Sequence, residues 1–123
     1  MFVEEVKKRG YIYILRCVDE TMYTGISTNV LRRYREHIKG TAVAAKYTKS
    51  HIPKKILMIW SVESLKEAAK IEYRIKMLTR KKKEELIKNP ATEIENIRIK
   101  AGVIQICAEE KMVNMINLQV AEG

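Results

Sequence analysis

The stretch "YIYILRCVDETMYTGISTNVLRRYREHIKG", from Tyr11 to Gly40, decides the fold at the start of the chain. Tyr11 to Val18 is rich in aromatic and β-branched residues, "DET" has turn chemistry, and Met22 to Ile26 is a second extended segment. This pattern predicts an antiparallel β-hairpin. Asn29 then predicts the N-cap of a helix that reaches about Lys39 and ends at Gly40.

The next 50 residues continue with strands and capped helices. Residues 40 to 54 are expected to form a long loop ahead of a third strand, Lys55 to Val62, whose Trp60 is expected in the core. Ser64 can cap a helix to about Leu78, and Thr79 can cap a shorter helix to Lys88. The predicted order is β-β-α-β-α-α.

Residues 91 to 123 have a different pattern. "IENIRIKAGVIQI" alternates weakly and favours a strand, whereas "EEKMVNMINLQV" has apolar residues near helical spacing. This extension is expected to dock on the domain, to mediate self-association or to form a loosely ordered tail, and it contains no residues that indicate chemistry. We therefore predict one domain at residues 1 to 90 and a C-terminal extension at residues 91 to 123, whose role stays open.

Composition narrows the class of function. The chain has 123 residues, and 24 Lys and Arg against 15 Asp and Glu give a net charge of +9, which favours nucleic acid as the partner. No apolar run reaches the roughly 20 residues that a membrane span needs, and the first ten residues do not resemble a signal peptide. We therefore expect a cytoplasmic protein without a membrane partner. The distant cysteines, Cys17 and Cys107, indicate neither a disulfide framework nor a zinc site.

Two polar residues of the first helix are candidates for a site. Leu31, Tyr34 and Ile38 recur at helical spacing and predict the stripe that faces the core. Arg33 and His37 are an i, i+4 pair about 100° round from that stripe, so they are expected to lie together at its edge. The alternative is that both are surface residues of a basic helix.

Glu72 is a second candidate, because it falls within an apolar arc of the following helix. A buried carboxylate normally pairs with a cation or binds a metal, since burying an unpaired charge is costly. The alternative is an ion pair with Lys76, four residues later. The arc consists of Leu65, Ala68, Ala69, Ile71, Ile75 and Leu78.

Two basic segments are candidates for nucleic-acid contact. The first segment lies at a helix start, where its positive charge opposes the helix dipole, and consists of Arg80, Lys81, Lys82 and Lys83. Its two interpretations are contact with a phosphate backbone and a run of charges that is only solvated. Tyr47, with Lys46 and Lys49 beside it, either stacks on a base or packs on the domain edge.

These residues resemble the GIY-YIG nuclease family, and the small stand-alone bacterial members in particular. "YIY" corresponds to the first triplet and "YTG" to the second, while Arg33, His37 and the Glu72 of "EYRIK" fall at the later positions of the family pattern. The resemblance covers roughly residues 10 to 90. It implies a small single domain of the α/β (α+β) class, with a three-stranded antiparallel sheet flanked by helices.

The resemblance also implies site roles. Glu72 would hold one divalent cation, Mg²⁺ or Mn²⁺, Arg33 would stabilise phosphate charge, and Tyr13 and Tyr23 would supply two phenols. Either phenol, or His37, would activate the attacking water, and the choice stays open. Tyr11 stands where the first triplet usually has glycine, and Asn89 is a poorly placed match for a later asparagine, so no second metal ligand is assigned.

We therefore expect a metal-dependent endonuclease that hydrolyses DNA and is structure-selective or weakly sequence-specific, in DNA repair or processing. The alternative is a non-catalytic nucleic-acid-binding module with the same fold. RNA stays open as a substrate, and the sequence specifies no oligomeric state. One geometric condition follows from the hairpin: Tyr13 and Tyr23 share a face, within reach of Arg33, only if directly paired residues have the same parity.

Overall fold

The computed structural model describes residues 8 to 40 and 50 to 122. In chain order, they contain strands β1 (Gly10–Cys17) and β2 (Met22–Ser27), helix α1 (Val30–Lys39), strand β3 (Pro53–Val62), helices α2 (Leu65–Lys76), α3 (Arg80–Lys88) and α4 (Pro90–Ala101), strand β4 (Cys107–Ala108) and helix α5 (Glu110–Glu122). None of the helices in these ranges is long and apolar enough to cross a membrane.

The strands form one antiparallel sheet in the order β2-β1-β3-β4. The predicted hairpin and third strand are confirmed, and the chain is a small α+β domain. The extension adds a short fourth strand, β4, which pairs with Trp60 and Ser61 of β3. The three-stranded sheet of the prediction is therefore extended at one edge by residues beyond Pro90.

The predicted helix starts are confirmed by their caps. The side chains of Asn29, Ser64 and Thr79 each accept a hydrogen bond from the backbone N–H three residues later. Gly40 ends α1 with φ of +65°, in the left-handed region that favours glycine. Local polar groups therefore determine where these helices begin and where α1 ends.

Gly10 fixes the position of α2 on the sheet. A Cβ atom at Gly10 would lie 2.2 Å from the backbone oxygen of Ser64, the N-cap residue of α2. Only a residue without a side chain allows this approach. The start of α2 thus lies directly against β1, and the helix that carries Glu72 packs against β1 and β2.

The predicted core face of α1 was wrong in one respect. The buried residues are Val30, Tyr34 and His37, whereas Ile38 is 41% exposed. These three positions follow the i, i+4, i+7 spacing of a single helix face. His37 therefore belongs to the buried face itself, with 1% of its surface exposed, and does not lie at its edge.

The predicted strand at residues 94 to 106 was also wrong, because α4 covers residues up to Ala101. Pro90 occupies the first turn of α4, where its missing N–H costs nothing, and Gly102 ends the helix with φ of +71°. Ile94 and Ile97 then fall on one buried face. The predicted helix in the last segment is confirmed as α5.

Residues before and after Pro90 share one hydrophobic core. Trp60, fully buried as predicted, donates its indole N–H to the Pro90 carbonyl oxygen at 3.1 Å. On α5, the Asn117 amide accepts from the Ile56 N–H at 2.9 Å and donates to the Ile56 carbonyl at 2.8 Å. Strand β4 does not reach Ile56, so Asn117 satisfies the sheet edge there.

Candidate active site

The hairpin places two tyrosines on one face of the sheet. Tyr13 pairs with Gly25 and Leu15 pairs with Tyr23, so paired residues have the same parity. Side chains at Tyr13 and Tyr23 therefore point to the same side. Their ring centroids are 6.4 Å apart, which confirms the predicted shared face.

Tyr13 and His37 form a buried hydrogen-bonded pair. The Tyr13 hydroxyl lies 2.8 Å from His37 Nε2, and both residues are essentially inaccessible to solvent. Burial, and then the nearby Arg33 charge, lower the pKa of His37 to about 4. Burial, with a further contribution from Tyr23, raises the pKa of Tyr13 well above its ordinary value. At neutral pH the pair is thus an uncharged phenol beside an uncharged imidazole.

Tyr23 is the more accessible of the two phenols. It is half-buried, and its ring lies edge-on to the His37 ring with a centroid distance of 5.2 Å. Burial raises the pKa of Tyr23, the Arg33 charge opposes that rise, and the Glu72 charge adds to it. Tyr23 therefore lies between the buried Tyr13–His37 pair and the solvent side of the site.

Gly25 makes room for the Tyr13 phenol, a role that the sequence reasoning missed. A Cβ atom at Gly25 would lie 2.5 Å from the Tyr13 hydroxyl oxygen and 2.6 Å from Cζ. Gly25 is not among the residues with positive φ, so glycine is needed here for space. The signal in the sequence was the last residue of "YTG", but its neighbour across the hairpin depends on the strand register.

Arg33 supplies the positive charge of the site. Its side chain is 24% exposed and lies 3.8 Å from Glu36, at i, i+3 on α1. A hydrogen bond to the Tyr13 phenol and the Arg33 charge both act to lower the pKa of Tyr13. Arg33 also acts on the pKa of Tyr23. Arg33 therefore interacts directly with Tyr13 and acts on Tyr23 through its charge, and its direct reach to Tyr23 stays a prediction.

Glu72, on α2, is close enough for its charge to act on the two phenols. Its charge raises the pKa of both Tyr13 and Tyr23. The predicted ion pair is also present, since Lys76 Nζ lies 3.5 Å from Glu72 Oε2, and the Glu72 side chain is 21% exposed. The ion-pair interpretation of Glu72 therefore has a direct contact, and the effect of its charge on the two phenols favours a place in the site.

The donor set limits how a metal ion could be held. Within residues 8 to 40 and 50 to 122, no group of three or more His, Cys, Asp and Glu side chains could hold an ion. Glu72 would be a single carboxylate ligand. That suits a cation such as Mg²⁺, which keeps several waters and uses one or two carboxylates together with substrate phosphates.

The basic segment on α3 divides into different environments. Arg80 donates to the Glu20 carbonyl at 2.8 Å and pairs with Glu84 at 3.2 Å, so it ties α3 to the β1–β2 turn. Lys82 lies 3.6 Å from Glu85. Lys81 is exposed and Lys83 half-buried. Lys46, Tyr47 and Lys49 lie outside the described residues.

Comparison with known proteins identifies the relatives of this arrangement. The family model of the GIY-YIG catalytic domain matches residues 9 to 85. The UPF0213 protein FN1575 of Fusobacterium nucleatum is 43% identical over 91 residues, covering 72% of this chain and 89% of that protein. A UPF0213 protein of Syntrophus aciditrophicus is 45% identical over 83 residues, covering 67% of this chain and 94% of that protein.

A solved structure is also similar to this chain. The solution NMR structure of the UPF0213 protein BH0048 from Bacillus halodurans has 40% sequence identity and a TM-score of 0.44. It covers 72% of this chain and 92% of that chain. The matched part of the family model includes Tyr13, Tyr23, Arg33, His37 and Glu72.

Proposed function

The chain belongs to the GIY-YIG family of nucleases, and we propose that it is a divalent-metal-dependent endonuclease that hydrolyses DNA phosphodiester bonds. One observation carries the proposal. Two phenols and a neutral imidazole, from β1, β2 and α1, are in contact, and the charges of a guanidinium on α1 and a carboxylate on α2 act on both phenols. These are the groups that phosphodiester hydrolysis requires: a proton acceptor, a permanent cation and a ligand for a hard metal ion.

Arg33 and His37 have separate electrostatic roles in this proposal. Since His37 is uncharged at neutral pH, Arg33 provides the permanent positive charge beside the phenols. Its planar fork of N–H donors matches two phosphate oxygens, which a lysine does not reproduce. Arg33 therefore binds the scissile phosphate and stabilises the negative charge that develops on it.

Tyr23 is the residue that contacts the attacking water in this proposal. It is half-buried, whereas Tyr13 is buried and bonded to His37. The Tyr23 hydroxyl can orient a water molecule against the phosphorus atom on the accessible side. The Tyr13–His37 pair lies behind Tyr23, and its uncharged imidazole is able to accept a proton, which a protonated imidazole is not.

Glu72 is the residue that holds the metal ion in this proposal. When bound, Mg²⁺ or Mn²⁺ supplies Lewis acidity at a phosphate oxygen. The Lys76 ammonium, 3.5 Å from the Glu72 carboxylate, balances the charge of that carboxylate in the metal-free protein. A lone carboxylate among phenols is costly without such a cation, because low dielectric surroundings penalise unpaired charge.

A role in DNA repair or processing, on structured or weakly specific sites, completes the proposal. The net charge of +9 supports a polyanionic substrate. The Glu72–Lys76 ion pair favours one other candidate function, a non-catalytic nucleic-acid-binding module in which Glu72 only stabilises α2. The two functions differ in whether the candidate active site hydrolyses a phosphodiester bond.

A cleavage panel tests the proposal. The purified chain is incubated with labelled single-stranded, duplex and branched DNA, and with matched RNA, in Mg²⁺, Mn²⁺ or EDTA. Cleavage of DNA in either metal and none in EDTA is expected. The Tyr23→Phe protein should cut more slowly by about 10²-fold or more, as for loss of a group that handles a proton. Binding of DNA without cleavage of any substrate would favour the binding module.

A further inference from the structure

A groove lies between helices α2, α3 and α4. Its volume is about 340 Å³, and its apolar lining includes Met77, Leu78, Leu86 and Ile97. The α4 wall begins at residue 90, beyond the residues 9 to 85 that the family model matches. The groove is therefore built in part by the extension of this chain.

The charges around the groove favour an anionic ligand. Arg74, Lys82 and Lys100 line it together with one acidic residue, Glu93, which leaves an excess of two positive charges. Lys82 pairs with Glu85, whereas Arg74 and Lys100 make no ion pair with any residue that the structure describes. Arg74 is half-buried and Lys100 is exposed. Two of the three cations are thus available to a phosphate.

The groove also has the dimensions and lining that suit a nucleotide. A volume of 340 Å³ lies at the small end of the range for ligand pockets. Its apolar residues offer a surface for the face of a base, and the Asn96 side-chain amide on the groove lining can donate to and accept from a base edge. A base among apolar side chains, with its phosphates on the cations, satisfies both kinds of lining.

Helix α2 carries both Glu72 of the candidate active site and Arg74 of the groove. Going round α2 from Glu72, Lys76 comes next at i+4, and the exposed Tyr73 and Met77 follow, with 65% and 69% of their surfaces exposed. Met77 also lines the groove. Half the circumference of a helix 10 to 12 Å wide is about 16 to 19 Å, which a strand stacked at the duplex spacing of about 3.4 Å per nucleotide crosses in roughly five nucleotides and an extended single strand crosses in fewer.

We propose that this groove binds an unpaired nucleotide of a single-stranded segment that passes over α2 from the candidate active site at Glu72. The inference rests on the proposed nuclease function and specifies its substrate as nucleic acid with a single-stranded arm. Tyr73 supplies an aromatic face along that path, and Arg74 and Lys100 contact phosphates in the groove.

Binding without cleavage tests this inference. Affinities of the Glu72→Gln protein for fluorescent oligothymidylates of two and twelve nucleotides are measured in EDTA. The twelve-nucleotide strand can reach both the candidate site and the groove, whereas the two-nucleotide strand is too short even when extended. Adding Arg74→Ala or Lys100→Glu should weaken binding of the longer strand at least fivefold and that of the shorter strand by a smaller factor, because the shorter strand does not occupy both sites at once. Adding Lys111→Ala, an exposed cation on α5 outside the groove, should change neither.

Salt dependence gives a second measurement. Each lost phosphate contact should reduce the slope of log affinity against log salt by about 0.7 for a single strand. Thermal melts check that each variant folds, and Lys100→Glu keeps the test valid if the half-buried Arg74 proves necessary for folding.

Three outcomes would overturn the inference. The first two are an equal loss of affinity for the short and long strands, and no loss of affinity for the long strand. The third concerns a labelled peptide of Glu and Leu residues, which tests a protein partner as the occupant of the groove: the groove variants would lose binding of this peptide and keep binding of the long strand. Because the readout is binding, a protein that never cuts DNA but shows the length-dependent loss would refute the nuclease and leave the groove assignment standing.

Discussion

Replacing Gly25 with alanine tests whether close packing beneath the Tyr13 phenol holds the site together. The new Cβ would lie 2.5 Å from the hydroxyl oxygen and 2.6 Å from Cζ, about 1 Å closer than ordinary contact of about 3.5 Å. Tyr13 is fully buried and bonded to His37, so its ring has little room to retreat. We predict that the phenol shifts and that its hydrogen bond to His37 is weakened or lost.

The cost has two parts. Overpacking of a well-packed core costs about 1 to 3 kcal/mol, and loss of a hydrogen bond adds about 1 kcal/mol. A total of about 2 to 4 kcal/mol lowers the melting temperature of a domain of this size by roughly 5 to 15 °C. Cleavage should fall together with stability, because the shifted ring disturbs both Tyr23 and Arg33.

Gly40 provides the matched control. It has φ of +65°, and a Cβ added there would meet no residue that the structure describes within 4 Å, so the expected cost of Gly40→Ala is that of the left-handed backbone, about 1 kcal/mol. Urea melts give the stability of each variant, and an NMR titration of the His37 ring reports on the phenol. A Gly25→Ala protein that melts, titrates and cuts like wild type would refute the packing argument.

Three further predictions concern pH, the extension and salt. His37 has a pKa of about 4 in the folded protein against an ordinary 6.5, so the unfolded state takes up the proton first as pH falls. The free energy of unfolding should therefore decrease by about 3 kcal/mol in all between pH 6.5 and pH 4. Urea melts of wild type and His37→Gln should differ in this pH dependence, and parallel curves would contradict the prediction. A chain ending at Asn89 lacks the buried Ile94, Ile97, Val113 and Ile116, so its free energy of unfolding should fall by about 5 kcal/mol or more. Circular dichroism should then show no cooperative melt, and a native-like melt would contradict this. If Lys81 and Lys83 contact phosphates, replacing both with alanine should flatten the salt dependence of duplex binding by about two units, and an unchanged slope would assign them to the solvated surface.

Much of the fold follows from local signals in the sequence. The side chains of Asn29, Ser64 and Thr79 accept hydrogen bonds from backbone N–H groups only three residues later. The local sequence is therefore enough to predict these caps. The shared face of Tyr13 and Tyr23 follows from strand alternation once the hairpin register has the right parity. These features were predictable because they depend on neighbours along the chain.

The features that were missed depend on contacts between distant segments. His37 was assigned to the edge of the stripe that Leu31, Tyr34 and Ile38 define, yet it is buried because the Tyr13 hydroxyl supplies a hydrogen-bond partner. The strand predicted at residues 94 to 106 rested on weak alternation, whereas Ile94 and Ile97 are buried on α4 in the shared core. The close approach of Gly25 to Tyr13 likewise exists only in the folded sheet.

The most direct test of the central claim compares two glutamates of α2. Glu72 pairs with Lys76 at 3.5 Å and Glu67 pairs with Lys70 at 3.2 Å, and each glutamate side chain is 21% exposed. Only Glu72 acts on the two phenols. Glu72→Gln and Glu67→Gln thus remove the same charge in similar surroundings, inside and outside the candidate site.

The measurement is a time course of Mg²⁺-dependent DNA cleavage for wild type and both variants, beside a thermal melt and a DNA titration of each. We predict that Glu72→Gln abolishes cleavage and lowers the free energy of unfolding by no more than about 0.5 kcal/mol. The variant protein should bind DNA as tightly as wild type or more tightly. Glu67→Gln should cut at close to the wild-type rate. Equal cleavage rates for wild type and a folded Glu72→Gln protein would contradict the metal-binding role of Glu72.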